Sequence, residues 1–344
     1  MNVPVVSICL PTLNALQFLE PRMKSIMDQT FSDWELIVCD SFSDDGTWEF
    51  FQQFKDDRRV RLYQVPKDGL YAGWNECLRR CRGEYIYIAT ADDTMSLDFL
   101  EKMIGALAEC YDTDIALCDL DFLSASGEVI ECPRFWKGRE FYGEWCRRSH
   151  LRNGKTEFIL HSALGIMWWS ITSILFNRSL LDRVGLFRTD RGSGADEEWE
   201  MRAALASNIV YVPERMATWR IHADQATAKR RSIDRTNLLC LESVLSDESC
   251  IPDDWKNIPL WMDKILHIQK MEYYSSIGLF RHVLKTNPKQ FLSNVCYAAL
   301  HEPMFLASQV GKGFAWDDKF SPDPFIHVHS LLKEFDCEWP PVEL

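Results

Sequence analysis

Short apolar runs alternate with helical stretches in the first part of the chain, and this alternation restricts the possible folds more than any other feature. The β-rich runs are Val5–Leu10, Trp34–Cys39, Val60–Val65, Tyr85–Ala89 and Ile115–Phe122. Because helical patterns separate them, consecutive runs form strand–helix–strand units. Such units build a mainly parallel sheet that helices cover on both faces. The sequence therefore predicts an α/β fold.

The remaining pattern predicts a few more strands followed by a helical tail. Residues 134–153 are rich in Trp, Arg and Gly and have weak periodicity, which indicates a surface loop or small insertion. Further strands are predicted at Ser173–Phe176, Ile209–Val212 and Ala217–Ile221. Further helices are predicted at Glu197–Ala206, Leu238–Leu245, Leu260–Leu284 and Phe291–Leu300. We therefore divide the chain into an α/β unit, residues 1–231, and a helical C-terminal extension, residues 232–344.

Charge and composition exclude several classes of protein. With 38 basic and 51 acidic residues the net charge is −13. A chain this acidic binds nucleic acid poorly, because phosphate neutralisation needs a surplus of Lys and Arg. No stretch resembles a signal peptide or reaches the length of a membrane helix. The twelve cysteines contain no CxxC pair, so we expect reduced thiols in a cytoplasmic protein.

The glycine motifs of three common enzyme classes are absent from the sequence. There is no GxxxxGK[ST] phosphate loop, no GxGxxG after the first strand and no GxSxG elbow. The sequence therefore argues against a phosphate-loop ATPase, a dinucleotide oxidoreductase and a serine hydrolase.

Two adjacent acids, Asp92 and Asp93, follow the fourth predicted strand directly. Neighbouring carboxylates at the end of a buried strand repel each other unless a cation or a proton lies between them. Oxygen ligands of this kind suit Mg²⁺ or Mn²⁺, which also bind phosphate oxygens. The alternative is a solvated turn in which Thr94 caps the next helix.

Three other polar segments lie at strand or helix ends. The loop Asp40–Thr47 follows the second strand and either contacts a ribose or base, or forms an Asx turn with a helix cap. Asp196, Glu197 and Glu198 begin a helix, where carboxylates are favoured by the helix dipole and where one of them could serve as a general base. His222 ends a strand and is either a surface or core residue or, if it lies near Asp92, a group that completes a metal site or contacts phosphate.

Taken in order, these segments resemble glycosyltransferase family 2, the inverting transferases of the GT-A fold. Ser7–Asn14 is similar to the family's first strand and Pro-Thr-x-Asn turn, and Val38–Thr47 to its Asp-x-x-Ser-x-Asp-Gly-Thr signature. Asp68–Asn75 resembles a subgroup's Gly-Ile-Tyr-Asp-Ala-Met-Asn, and Thr90–Asp93 lies where the family places Asp-x-Asp. The resemblance covers roughly residues 5–226, and it implies a Rossmann-like mixed, mainly parallel sheet for residues 1–231.

The resemblance also implies roles for individual residues. It assigns the nucleotide-sugar to a set of residues near strand ends: Pro11, Thr12, Asn14, Asp40, Ser43, Asp68, Asn75, Thr90, Ala91 and Asp93. It makes Asp92 the principal ligand of Mn²⁺ or Mg²⁺, with Asp93 and His222 beside it. Asp196 matches the catalytic base, and Glu197 and Glu198 are the alternatives.

Two departures from the family pattern affect these assignments. Thr90 replaces the first acid of Asp-x-Asp, which alters one contact often made to ribose. Ala195-Asp196 replaces the usual Glu-Asp pair and is followed by two more acids, which is why Glu197 and Glu198 stay open as bases. Four tryptophans, Trp136, Trp145, Trp168 and Trp169, either stack on sugar rings or pack in the core.

The predicted activity is therefore metal-assisted transfer of a sugar, with inversion, from a nucleotide-diphosphate-sugar to an acceptor hydroxyl. We expect the donor to be a UDP-sugar. The acceptor is a saccharide or a lipid-linked saccharide, as in polysaccharide biosynthesis. A non-catalytic nucleotide-sugar binding protein or scaffold is the alternative. The extension could contact a second copy of the chain or the inner membrane surface, where a cytoplasmic protein would sit peripherally.

Overall fold

The structure is a computed structural model that describes residues 3–132, 137–165, 167–168, 170–223, 225, 235–278, 281–311 and 324–344. These residues form ten strands: β1 (Val6–Thr12), β2 (Trp34–Asp40), β3 (Val60–Gln64), β4 (Tyr85–Ile88), β5 (Thr113–Leu123), β6 (Val129–Ile130), β7 (His150–Arg152), β8 (Ile174–Asn177), β9 (Asn208–Arg220) and β10 (Val342–Glu343). Each of the first five predicted runs is a strand within three residues of its expected ends.

The strands belong to one mixed sheet. Across it the order is β10, β7, β9, β5, β8, β4, β1, β2 and β3, with β6 beside β5. Strands β3, β2, β1 and β4 are parallel, β8 is antiparallel to both its neighbours, and β5 is parallel to β9. The carboxyl ends of β1, β2 and β4 therefore meet at one edge, which is where ligands bind in open α/β sheets.

Fifteen α-helices surround the sheet within the described ranges: α1 (Leu16–Met27), α2 (Thr47–Phe51), α3 (Leu70–Leu78), α4 (Phe99–Glu109), α5 (Lys137–Tyr142), α6 (Gly154–Leu164), α7 (Leu180–Val184), α8 (Ala195–Ala206), α9 (Thr236–Ser246), α10 (Asp253–Lys256), α11 (Trp261–Ile277), α12 (Arg281–Thr286), α13 (Pro288–His301), α14 (Pro303–Gly311) and α15 (Pro324–Glu334). None of the helices in these ranges combines the length and apolarity needed to cross a membrane.

Alternate residues of the central strands enter two hydrophobic cores. Ile8 and Leu10 of β1 pack on the face covered by α1 and α4, whereas Cys9 packs on the opposite face with α3, α6 and α8. This second core continues into the C-terminal helices through residues such as Leu241 and Phe335. The mixed, mainly parallel α/β sheet and the helical C-terminal region are confirmed. The division at residue 231 stays a prediction, and that position lies outside the described residues.

Four details differ from the sequence-based expectations. Residues 134–153 were expected to be a surface loop or small insertion, but their described part contains α5 and β7, and Tyr142 and Cys146 are buried in the core. The two closing strands are one strand, β9, which continues through irregular register opposite Asp119. The long helix predicted at Leu260–Leu284 is interrupted after α11, where Gly278 has a φ of 63°. The helical extension ends in a strand, β10, which pairs with β7.

The tryptophans are accounted for by packing where they are described. Trp168 is fully buried and donates a hydrogen bond of 2.7 Å from Nε1 to Glu157 Oε2. Trp145 is partly buried against the same core. Trp136 and Trp169 lie outside the described residues. Trp145 and Trp168 therefore pack in the core, which is one of the two roles considered for the tryptophans.

Helix α6 approaches the end of α8 so closely that only glycine fits at position 154. A Cβ there would lie 2.1 Å from the carbonyl oxygen of Ala204 and 2.3 Å from that of Ser207. Real Cβ atoms do not come this close to backbone oxygens, so one helix would have to move. Since α8 carries Asp196, Gly154 helps to set the position of a candidate site residue.

We expect Gly154→Ala to lower the free energy of unfolding by about 2 kcal/mol, because overpacking a dense contact costs roughly that much. Gly105→Ala in α4 is the matched control, since a Cβ there meets no atom within 4 Å. That control should raise stability by up to about 1 kcal/mol through helix propensity. Urea unfolding of both variants measures the difference, and equal stabilities would refute the proposed close packing.

Candidate active site

The carboxyl ends of β1 and β2 carry Thr12 and Asp40, which are register partners. Thr12 donates from Oγ1 to Asp40 Oδ1 at 3.0 Å, and Asp40 is fully buried. Ser43 donates twice to the same carboxylate, from its amide at 3.0 Å and its hydroxyl at 2.5 Å. The two strand ends and the following loop are therefore fixed to one another through a single buried acid.

Asn14 and the Ser43–Thr47 segment bind each other across the same edge. The amide of Asn14 donates to Ser43 Oγ at 2.8 Å, and Asn14 Oδ1 accepts from the amide of Asp44 at 3.0 Å. Asp45 accepts from the amides of Leu16 and Thr47. Burial opposes ionisation, but hydrogen bonds from Thr47 and Leu16 hold the pKa of Asp45 below its usual value. Asp45 therefore forms an Asx turn, one of the two alternatives for this loop. Asn14 and Ser43 lie at the edge of the sheet where β1 and β2 end.

Helix α3 begins beside these loops. Its Gly73 lies against Pro11 and Ser41, because a Cβ at this glycine would be 3.6 Å from Pro11 Cβ and 3.9 Å from Ser41 Oγ. The segment before α3 therefore shares the edge with the ends of β1 and β2.

The acids that follow β4 point in different directions. Asp93 is 3% exposed and accepts from Thr90 Oγ1 at 2.6 Å and from the amide of Arg220 at 2.7 Å. Burial and the negative charge of Asp92 raise the pKa of Asp93 to about 7. The side chain of Asp92 is 26% exposed, and its Oδ2 lies 2.9 Å from Nε2 of His222.

Both oxygens of Asp93 thus bind protein donors in this structure, unlike the metal or donor contact expected from the sequence. Its bonds to Thr90 and to the end of β9 hold the turn in place. The side chains of Asp92 and His222 remain partly exposed beside this turn. Asp93 therefore contributes as a positioning residue here, and Thr90, the departure from the family's acid, is its hydrogen-bond donor.

Two arginines that the site prediction did not include hold this turn. Arg22 of α1 is fully buried and donates from Nε to the carbonyl of Thr90 at 2.7 Å. Arg220 donates from Nε to the carbonyl of Asp92 at 2.8 Å. Arg220 precedes His222 by two residues, so its position could have pointed to this role, whereas Arg22 lies in an ordinary helical pattern. Both bring positive charge close to the acid pair.

The side chains of Asp92 and His222 suit a divalent cation. A carboxylate and an imidazole are both ligands for Mn²⁺, and each is partly exposed. Among the described residues, no group of three or more His, Cys, Asp or Glu could hold a metal ion. A cation here would thus have two protein ligands, and diphosphate or water would supply the others, which is usual for Mg²⁺ and Mn²⁺ with phosphate substrates.

Asp196 lies in the first turn of α8, half-buried, and is held by Tyr71 of α3. The phenol of Tyr71 donates to Asp196 Oδ1 at 3.0 Å, and the amide of Glu197 donates to the same oxygen at 3.0 Å. Tyr71 itself packs against Trp74 and Phe187, with ring centroids 5.0 and 6.0 Å away. Sequence reasoning missed Tyr71, although the segment Asp68–Asn75 that contains it had been singled out.

The alternative bases occupy different environments. Glu198 is 1% exposed and forms a two-pronged ion pair with Arg202, at 2.7 and 3.0 Å. Both its oxygens bind Arg202 in this structure, which makes Glu198 less suited to take a proton than Asp196, and its role as a base stays a prediction. Glu197 is 3% exposed, and Glu200 behind it has a pKa raised well above its usual value by burial and by the charges of Asp196 and Glu197. Asp196 is the most accessible of these acids.

Asn75 and Asp68 flank α3 but differ in exposure. Asn75 is 4% exposed, and its side chain donates to the carbonyl of Phe187 at 2.8 Å and accepts from its amide at 3.0 Å. Asn75 therefore anchors a neighbouring loop and does not face the cleft as expected. Asp68 lines a cavity of about 220 Å³ with Tyr71, Gly192 and Ser193. Tyr71, which lines this cavity, is also the hydrogen-bond donor to Asp196.

Part of this chain is similar in sequence to a family of known proteins. Residues 7–157 match the sequence profile described as glycosyl transferase family 2. The chain is 34% identical over 108 residues to the glycosyltransferase TuaG of Bacillus subtilis (strain 168), covering 31% of this chain and 43% of TuaG. It is 31% identical over 107 residues to the UDP-Glc:alpha-D-GlcNAc-diphosphoundecaprenol beta-1,3-glucosyltransferase WfgD of Escherichia coli, covering 31% and 42%. The matches thus span less than half of either relative.

Solved structures share the fold over a longer part of the chain. S. aureus TarS 1-349 in complex with UDP-GlcNAc has a TM-score of 0.59 and 16% identity, covering 84% of this chain and 79% of TarS. The mannosyltransferase PcManGT from Pyrobaculum calidifontis, in complex with GDP-Man and Mn²⁺, has a TM-score of 0.55 and 17% identity, covering 98% and 86%. At these identities the likeness establishes the fold alone.

We expect Glu198→Ala to lower the free energy of unfolding by about 3 kcal/mol, because it leaves the charge of Arg202 buried without its partner. Glu76→Ala is the matched control. It removes another ion pair with a residue four positions on, Arg80, but both side chains are more than a quarter exposed. That control should cost under about 1 kcal/mol. Denaturant unfolding tests the contrast, which an unchanged Glu198→Ala stability would contradict.

Proposed function

We propose that this protein, whose residues 7–157 match the profile of glycosyl transferase family 2, transfers a sugar from a UDP-sugar to an acceptor hydroxyl with inversion at the anomeric carbon. The observation that carries this proposal is the placement of Asp196. Its carboxylate accepts a hydrogen bond from Tyr71, which lines a cavity of about 220 Å³, and Asp196 is itself only partly buried. A general base needs this combination of orientation and access.

The donor's nucleotide would lie over the ends of β1, β2 and β4. We assign its contacts to the following residues: Pro11, Thr12, Asn14, Asp40, Ser43, Thr90 and Ala91. The internal hydrogen bonds of Thr12, Asp40 and Ser43 pre-organise this loop, which lowers the ordering cost of binding. The UDP-GlcNAc complex of TarS and the UDP-Glc in the name of WfgD support a UDP-sugar as the donor.

Mn²⁺ or Mg²⁺ would be held by Asp92 and His222, with Asp93 fixing the turn. When bound, the cation supplies charge neutralisation for the departing diphosphate. The Mn²⁺ in the PcManGT complex supports this assignment. The two side chains already lie 2.9 Å apart, so the chain brings its own ligands together.

Asp196 would remove the proton of the acceptor hydroxyl as that oxygen attacks the anomeric carbon. The new bond forms on the face opposite the bond that breaks to the diphosphate, so the configuration inverts. Tyr71 fixes the carboxylate through Oδ1. Orientation of this kind contributes much of the rate in displacement reactions. Asp68, at the wall of the same cavity, is positioned to contact either sugar.

The acceptor would be a saccharide or lipid-linked saccharide. The diphosphoundecaprenol in the name of WfgD supports a lipid-linked form. We place the reaction in the cytoplasm, which agrees with the twelve cysteines, all described as free thiols.

Asp196→Asn should leave donor binding nearly intact and lower transfer by about 10²- to 10⁴-fold, the range usual for loss of a general base. The amide keeps the shape of the side chain and its bond to Tyr71 but cannot take a proton. Transfer from UDP-sugars and calorimetric donor binding are measured on the same preparation. Comparable turnover would remove Asp196 from the mechanism, whereas donor binding without transfer by either protein would favour a role as a binding protein.

Asp92→Ala should weaken cation-dependent binding of UDP by about 10-fold or more, since loss of one ligand group or its support typically has that effect on a metal site. Isothermal calorimetry with UDP, with and without Mn²⁺, measures it. Asp28→Ala removes an exposed carboxylate that contacts Lys24 and serves as the control. An unchanged affinity in Asp92→Ala would show that the cation binds elsewhere.

A further inference from the structure

The outward side of α13 carries apolar side chains at helical spacing. Leu292, Cys296 and Leu300 recur every four residues and therefore share one face. Leu292 is 62% exposed and Leu300 78% exposed, while Phe291 and Ala298 on the inner side are buried. Single exposed leucines are ordinary, but a row of them marks a surface that contacts something apolar.

The neighbouring helices extend this row. Leu284 near the end of α12 is 41% exposed, and Met304 at the start of α14 is 84% exposed. We use the name C-terminal apolar surface for Leu284, Leu292, Cys296, Leu300 and Met304. Since α12 and α14 directly precede and follow α13 in the chain, exposed apolar side chains recur through this whole part of the extension.

The charge around this surface is the reverse of that of the whole chain. Lys285 and Lys289 are exposed beside it. Glu302 is the single acid in residues 281–311, although the chain has 51 acids in 344 residues. The side chain of Glu302 is only 14% exposed and lies 3.4 Å from Arg235. The surface therefore combines apolar side chains with uncompensated positive charge.

Helix length decides how such a surface can meet a bilayer. The 14 residues of α13 span about 21 Å at 1.5 Å per residue, short of the roughly 30 Å hydrocarbon layer. A helix with one apolar face and basic residues beside it lies along the membrane surface, with its lysines at the headgroups. An anionic bilayer satisfies both parts of the surface, because its acyl boundary receives the apolar side chains and its headgroups attract the lysines.

Self-association through the same surface is disfavoured by its charge. In a two-fold symmetric contact the same patch meets itself. Lys285 and Lys289 would then approach their counterparts, and residues 281–311 offer no exposed carboxylate to pair with them. Like charges brought together in this way repel each other.

We propose that the C-terminal apolar surface docks the protein on an anionic lipid bilayer, with α13 lying in the plane of the headgroups. The docking rests on α12–α14 and not on the transfer chemistry. Its failure would leave the proposed function unchanged, and the reverse also holds.

Vesicle flotation of the full chain tests the proposal. We expect the protein to float with vesicles that contain phosphatidylglycerol, to float much less with phosphatidylcholine alone, and to be released by salt. Leu292→Glu combined with Leu300→Glu should abolish flotation. Lys285→Gln and Lys289→Gln should weaken it about fivefold each, the contribution of one basic residue near an anionic surface.

Tyr111→Glu is the matched control, because Tyr111 is 94% exposed in the α/β unit, away from the extension. It should float like the unaltered protein. Thermal unfolding verifies that the Leu292 and Leu300 variant is folded, as expected for exposed positions. The proposal is overturned if the unaltered protein stays with the soluble fraction, or if the double variant still floats. It is also overturned if light scattering shows a dimer that the double variant converts to monomer while vesicles bind neither form.

Discussion

The hydrogen bond from the amide of Arg220 to Asp93, at 2.7 Å, joins the end of β9 to the turn after β4. These two strands are separated in the sheet by β8 and β5, so the bond connects two strand ends that are not neighbours in the sheet. With Asp93 drawn inward, Asp92 turns outward and meets His222, two residues beyond Arg220. The candidate cation site therefore depends on a buried acid that is not itself exposed to the cation.

A second arrangement of the same kind sets the candidate base. Tyr71, Trp74, Phe187 and Trp199 form a continuous set of ring contacts from α3 to α8. Asn75 adds two hydrogen bonds to Phe187, and Gly154 permits α6 to press against the far end of α8. The carboxylate of Asp196 thus projects from a helix that is fixed at both ends, which suits a group whose orientation matters for proton transfer.

The concentration of negative charge at this edge has an energetic cost. Burial and the negative charge of Asp92 raise the pKa of Asp93 to about 7. Burial and the charges of Asp196 and Glu197 likewise raise the pKa of Glu200. Buried Arg22 and Arg220 offset part of the repulsion through their contacts with the turn. A divalent cation that binds the folded protein would offset more of it, and such binding stabilises the folded state. Electrostatics and function therefore favour the same ligand.

Much of this protein could be predicted from its sequence, because local patterns are sufficient to define strands and the residues that follow them. The alternation of runs predicted the sheet, and polar residues after Leu10, Cys39 and Ala89 predicted its functional edge, since parallel strands end together. The interruption of α11 at Gly278 and the strand β10 were missed, because the first needs a left-handed glycine and the second a distant partner, β7.

Tertiary structure alone decided which of the polar residues face the cleft. Asp92 and Asp93 are equivalent as sequence, as are Asp196 and Glu198, and Asn75 looks as suitable for a ligand as Asn14. Their directions are set by Arg220, Arg202 and Phe187, which lie 127, 4 and 112 residues away respectively. Hydrogen bonds between residues so far apart, or within one helix turn, produce no periodic pattern in the sequence. The burial and orientation of these polar side chains therefore follow only from the folded structure.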